Sequence, residues 1–122
     1  LVVLNEWPNQ GIALAASTQV FREYLVVATR PLEVNGLGLG VEDALANIGA
    51  FRSRMRLLPE SEQTWDWLRA LITRYSCQGK QIHDANIVAT MLTHGITELL
   101  TNNPGDFARY SGVIRVIPLE MT

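Results

Sequence analysis

A single cysteine, Cys77, stands among 122 residues, so no internal disulfide can form and a disulfide-stapled secreted mini-protein is excluded. Histidine is equally scarce. His83 and His94 lie eleven positions apart and give, with that one cysteine, no recognisable zinc spacing, so both are read as structural or surface residues. Lys80 is the only lysine; the other nine basic side chains are arginine, and with 12 acidic residues the net charge is −2. Whole-molecule attraction to nucleic acid or an anionic membrane is therefore not expected, and any polyanion contact must be local. No run nears the roughly 18 uninterrupted apolar residues of a membrane span. A G-x-S-x-G elbow is missing, and the glycines of residues 36–40 (GLGLG) alternate with no lysine following, which matches neither a phosphate loop nor a dinucleotide fingerprint. That segment is read as a connector.

What remains is a chain with 48% apolar residues, enough for one globular domain over residues 1–122 with a modest core. Residues 1–7 (LVVLNEW) read as the end of a helix, broken by Pro8, Asn9, Gln10 and Gly11. A buried strand is expected over 11–17 (GIALAAS), followed by a helix capped by Ser17 or Thr18 and ended by Arg30 and Pro31. A second helix over 41–53 has Ala44, Leu45, Ile48 and Phe51 as its buried stripe, and 55–58 makes a short strand closed by Pro59. Ser61 starts a third helix with the stripe Trp65, Leu68, Ile72 and Tyr75, so its tryptophans are expected in the core. A fourth helix over 83–94 ends at Gly95 and feeds a strand over 96–101, and 113–117 supplies the last strand. Strands alternating with helices in this order predict an α/β fold with a mostly parallel sheet.

Three carboxylates stand out from this framework. Glu23 falls on or beside the apolar stripe of its helix rather than on the opposite face. Asp84 lies at the start of its helix, either as an N-cap or as an acid held by the helix dipole. Asp106 follows a strand through Asn102, Asn103, Pro104 and Gly105, either as a turn aspartate or at the strand's carboxyl end, where open parallel sheets hold ligands. Taken together, oxygen donors in such places suit Mg²⁺ or Mn²⁺, which prefer carboxylates and water.

The stretch GKQIHDANIVATMLTHGITELLTNNPGDFARYSGVIRVIP, residues 79–118, resembles the C-terminal half of a PIN domain of the VapC-type toxin ribonucleases. The resemblance is carried by His83-Asp84-Ala85, His94-Gly95, Leu100-Thr101, Asn103 and Asp106-Phe107, and STQVFREYLVVATRP, residues 17–31, is similar to the family's passage that contains an acidic site residue at the position of Glu23. It implies a three-layer α/β/α fold and a metal-dependent endoribonuclease, the toxin of a type II toxin–antitoxin pair. Glu23, Asp84 and Asp106 would be catalytic and, with the neighbouring Asn103, would hold Mg²⁺ or Mn²⁺, while Thr101 and Asn103 offer supporting hydrogen bonds. The implied setting is cytoplasmic, with RNA as substrate, an antitoxin as partner, a homodimer left open and no membrane. One piece is missing: the family's first strand normally ends in an aspartate, typically within Asp-Thr-Asn, and nothing before Gly11 matches it. Truncation ahead of Leu1 is the simplest expectation, with weak or absent activity in these 122 residues. The alternative within the fold is a catalytically inactive PIN-like binding module. A receiver-like phosphoryl-transfer domain would need a lysine near the last strand, and Lys80 precedes a helix instead. Arg52, Arg54 and Arg56 form a cluster that reads either as a phosphate track or as a solvated helix end.

Overall fold

The computed structural model describes residues 2–6 and 13–118. In chain order the elements are β1 (Val2–Glu6), β2 (Ala13–Ser17), α1 (Thr18–Thr29), a 3-10 turn (Leu32–Val34), α2 (Val41–Arg52) and β3 (Met55–Leu58). They continue with α3 (Glu62–Tyr75), α4 (Gln81–Thr93), β4 (Glu98–Thr101), the one-turn α5 (Pro104–Phe107), a 3-10 turn (Ala108–Tyr110) and β5 (Arg115–Pro118). The strands form one sheet in the order β3-β2-β1-β4-β5. Pairing is parallel between β2 and β3 and between β4 and β5, while β1 is antiparallel to both of its neighbours, so four of the five strands run the same way.

The region read as a helix tail is therefore a strand over Val2–Glu6; Leu1 and Trp7, like Gly11 and Ile12 of the next expected strand, lie outside the described residues. A short apolar run cannot be told apart as helix or strand by periodicity. Here the choice is made by long-range pairing, because β2 and β4 each need a partner for the backbone groups that face each other across the middle of the sheet. The strand differs from the aspartate-ended one in direction as well as in sequence. Val2 lies opposite Thr101, and Glu6 opposite Ala13, so the only acidic position of β1 is at the far end of the sheet from the carboxyl ends of β2 and β4.

The path from β2 to β3 steps outward in one direction, and the path from β3 to β4 crosses to the other half. Right-handed crossovers then put α1 and α2 on one face and α3 and α4 on the other, the α/β/α arrangement of a doubly wound sheet. The strand order reverses around β1, which makes the carboxyl ends of β2 and β4 the place where such folds hold ligands.

Local sequence explains the elements that frame this edge. The Ser17 hydroxyl accepts the Val20 N–H at 3.2 Å and starts α1. At the other end the glycine-rich connector folds back on the helix: Leu37 and Leu39 donate their N–H groups to the carbonyls of Val27 and Ala28 at 2.9 and 2.8 Å, and Gly38 donates to Arg30 at 2.9 Å. Carbonyls that a helix end leaves without partners are thereby satisfied. Helix α4 is buried at Ala85 and at every residue from Ile87 to Met91, so it packs on more than one side and shows little amphipathic stripe. Leu58, Leu99, Phe107 and Tyr110 complete the core around it.

Two expectations about packing are corrected. Trp65 and Trp67 are 57% and 39% exposed, and α3 instead turns Thr64, Leu68, Leu71, Ile72 and Tyr75 inward. Thr64 can occupy the core because its hydroxyl accepts the Ser61 N–H at 3.0 Å and a bond from the Thr93 hydroxyl at 3.1 Å. On α2 only Ala44 is buried and Leu45 is exposed, while Phe51 meets Tyr24 of α1 edge to face at 5.4 Å. Among the described residues no helix is long and apolar enough to cross a membrane.

Candidate active site

The carboxyl end of β2 leads through the Ser17 cap directly into α1, whose second turn carries Glu23. The carboxyl end of β4 leads through Thr101, whose hydroxyl accepts the Asn103 N–H at 3.0 Å, into α5, where the Asp106 N–H returns to the Asn103 carbonyl at 3.1 Å. Between these segments lies the first turn of α4 with Asp84. Three segments far apart in sequence thus bring Glu23, Asp84, Asn103 and Asp106 to one cavity of about 370 Å³, floored by Val20, Ile87 and Phe107. All four residues singled out in the sequence line it.

Their environments differ. Glu23 and Asp106 are exposed, whereas Asp84 is half-buried. Burial raises the pKa of Asp84 above the ordinary aspartate value; the charges of Asp106 and Glu23 raise it further, and His83 and Arg109 pull it back. Asp84 is not an N-cap: α4 starts at Gln81 with Lys80 in the cap position. Asp106 belongs to the first turn of α5 rather than to an open turn. The Thr101 hydroxyl accepts the Asn103 N–H and so shapes the loop, and Thr101 is not among the residues that line the cavity.

The donor set is all oxygen, which fits a hard divalent cation, yet among the described residues no three His, Cys, Asp or Glu side chains stand close enough to grip one ion unaided. Mg²⁺ commonly keeps several waters and takes only one or two carboxylates. The residues present fit an ion held in that hydrated manner.

An adjoining groove shares Glu23, Asp84 and Asp106 with the cavity and adds the cationic side chains of Arg22, Arg30 and Lys80, with His83 beside them. Arg22 also reaches Glu60 at 4.0 Å. By contrast Arg52, Arg54 and Arg56 flank the start of β3, and Met55 is paired with Leu14, at the amino end of β2. They lie across the sheet from the acidic edge. His94 Nε2 donates to the Pro59 carbonyl at 2.8 Å, in keeping with a structural role, whereas His83 borders the groove.

One participant was missed in the sequence. Gln19 is 3% exposed and donates from Nε2 to Glu23 Oε2 at 2.9 Å. The available signal was its spacing, because Gln19 and Glu23 are four apart on one helix and so share a face.

The sequence matches the family model of the PIN domain over residues 3–113. It is 33% identical over 92 residues to Ribonuclease VapC48 of Mycobacterium tuberculosis, in strains CDC 1551 / Oshkosh and ATCC 25618 / H37Rv alike, over 74% of this chain and 62% of theirs. The chain thus spans somewhat less than two thirds of the length of these curated relatives. Its fold is similar to that in a crystal structure of DNA-bound VapBC from Salmonella typhimurium, with a TM-score of 0.60 and 24% identity over 84% of this chain and 72% of that one. With a family match that runs nearly from end to end and an acidic cavity at the switch point of the sheet, this chain belongs to the PIN domain family.

Proposed function

We propose that this chain is a divalent-metal-dependent endoribonuclease that hydrolyses RNA phosphodiester bonds, the toxin of a type II toxin–antitoxin pair acting in the cytoplasm. The observation that carries the reading is the convergence of Glu23, Asp84 and Asp106, with Asn103, on one cavity that opens into a groove with cationic side chains. The ribonuclease relatives supply the substrate class. A bound Mg²⁺ or Mn²⁺ would lower the pKa of a water and offset charge developing on the phosphate.

The chain's own side chains have distinct tasks in this reading. Asp84, the half-buried acid between the other two, is the principal ligand. Glu23 and Asp106, which line the same cavity, would act on the ion through its bound waters. Asn103 is the neutral oxygen donor beside them. Arg30 and Lys80 hold the flanking phosphates by charge, which lets a polyanion approach a cavity that would otherwise repel it. An antitoxin would cover the apolar side chains exposed around α1 and α2, such as Val26, Leu32, Leu37 and Leu45, and a second copy of the chain would compete for the same kind of surface.

The test is incubation of the purified chain with RNA in Mn²⁺ or Mg²⁺. Slow cleavage that is lost with EDTA and in Asp84→Asn is expected, because β1 brings no acid to this edge. Cleavage that survives both treatments would overturn the assignment. RNA that is bound and left intact would favour the second reading, a binding-only PIN-like module, for which the same missing acid speaks.

A further inference from the structure

We propose that Gln19 is the positioning residue of the acidic site, a buried amide that fixes Glu23 and Asp84 relative to each other. The inference rests on the metal-dependent reading given above. Its basis is that both N–H donors of the amide and its carbonyl oxygen are engaged. Nε2 donates to Glu23 Oε2 at 2.9 Å and to the His83 carbonyl at 2.8 Å, and Oε1 accepts from Asn86 Nδ2 at 2.7 Å. Reversing the amide would set its oxygen against a carboxylate and a carbonyl, so the network admits one orientation.

The placement of these partners matters. Glu23 is on α1, whereas His83 and Asn86 bracket Asp84 on α4, so a single side chain ties the two helices together where their carboxylates face one cavity. The site needs such a tie. Asp84 is held near the charges of Glu23 and Asp106, which push the helices apart, and a purely apolar contact between α1 and α4 would fix neither the rotation of α1 nor the direction of the Glu23 carboxylate. A bond from a 3% exposed donor holds one oxygen of Glu23, a residue that lines the cavity. Groups that orient ligands in this way commonly change metal affinity 10- to 100-fold when removed.

Gln19→Met keeps the volume and removes all three bonds. The control is Thr64→Val, which alters an equally buried polar side chain on α3, away from the cavity. Mn²⁺ affinity is read from the electron paramagnetic resonance of free Mn²⁺, together with thermal stability and the RNA concentration dependence of cleavage. Gln19→Met is expected to weaken Mn²⁺ binding about tenfold and to lower kcat with little change in KM. Thr64→Val is expected to lower stability with Mn²⁺ affinity unchanged. Folded Gln19→Met with wild-type Mn²⁺ affinity, or equal loss in both variants, overturns the proposal while the metal reading stands. Wild-type protein that binds no Mn²⁺ overturns both. Should Gln19→Met not fold, Asn86→Ala decides by the same readouts, because it removes only the bond that orients the amide and lies at a half-buried position.

Discussion

Gly36 lies directly against the carbonyl of Arg30: a Cβ at Gly36 would overlap both the carbon and the oxygen of that group. The contact comes from the return of the connector over the end of α1, where the Gly36 N–H also donates to the Pro31 carbonyl at 3.0 Å. Backbone cannot swing aside as a side chain can. Gly36→Ala is therefore expected to destabilise the fold by about 3 kcal/mol, read as a lower urea midpoint with an unchanged slope. Gly38→Ala, at φ +65°, should cost about 1 kcal/mol through backbone strain. Equal and negligible losses at both positions would refute this account of the connector.

Asp84 makes a second prediction, about pH. Burial first, then Asp106 and Glu23, raise its pKa, so the folded protein holds this proton more tightly than the unfolded chain does. Stability from this group is complete below the ordinary aspartate value and declines as pH rises through the raised one. At neutral pH the ionised carboxylate thus opposes folding, and Asp84→Asn should stabilise the protein by roughly 0.5–2 kcal/mol, the range usual when a functional charge is relieved. The gain should vanish toward pH 3. Thermal melts of both proteins across pH 3 to 8 test this, and a destabilised Asp84→Asn at pH 7 would contradict it.

Much of this site was legible because its acids obey local rules. Asp106 follows a strand through turn-forming residues, Asp84 lies in the first turn of a helix, and Glu23 is spaced on or beside the apolar positions of α1. The boundaries of β3 and the start of α1 at Ser17 likewise follow from nearby residues. Where the reading failed, the cause was non-local. Nothing within residues 2–6 reveals that β4, far along the chain, will pair beside them. Trp65 shares helical spacing with Leu68, Ile72 and Tyr75, yet Thr64, whose hydroxyl is satisfied by Ser61 and Thr93, takes the inward place. Gln19 escaped notice for a similar reason, since its partners at His83 and Asn86 are 64 and 67 residues away.

The arginine cluster gives a third prediction. Arg52, Arg54 and Arg56 flank the amino end of β3, whereas the acidic cavity is at the carboxyl ends of β2 and β4. Replacing all three by glutamine should leave the salt dependence of RNA binding unchanged. Arg30→Gln and Lys80→Gln should each reduce the slope of log K against log salt by about 0.7, the value for one contact to a single strand. Binding measured at several salt concentrations in Ca²⁺, to slow cleavage, separates the two groups.

A fourth concerns the core. Cys77 Sγ lies 3.3 Å from the Tyr110 hydroxyl, and both are buried. Burial, followed by the bond to Cys77, pushes the phenol of Tyr110 above its usual range. The neutral phenol therefore favours the fold, a contribution present below the ordinary tyrosine value near 10 and lost as pH climbs through the raised one. The Tyr110 share of phenolate absorbance should appear only as the protein unfolds in alkali, at the same pH at which Cys77 first reacts with a thiol reagent. Reaction of Cys77 at native pH, at the rate of a free thiol, would exclude this coupling.

The lock between Gln19 and α4 also orders events along the folding route. Residues 13–58 can assemble β2, α1, α2 and β3 while Glu23 has no acid near it, since Asp84 and Asp106 belong to the later half of the chain. Like charges meet only when α4 docks and α5 follows β4 into place, and both steps close long loops with a high entropic toll. Gln19 offers its amide at that moment, joining the two halves just as their repulsion begins. The acidic pocket is in this sense a late product of folding: an emerging polypeptide stays without it until Asp106 has been made and α5 has followed β4 into place.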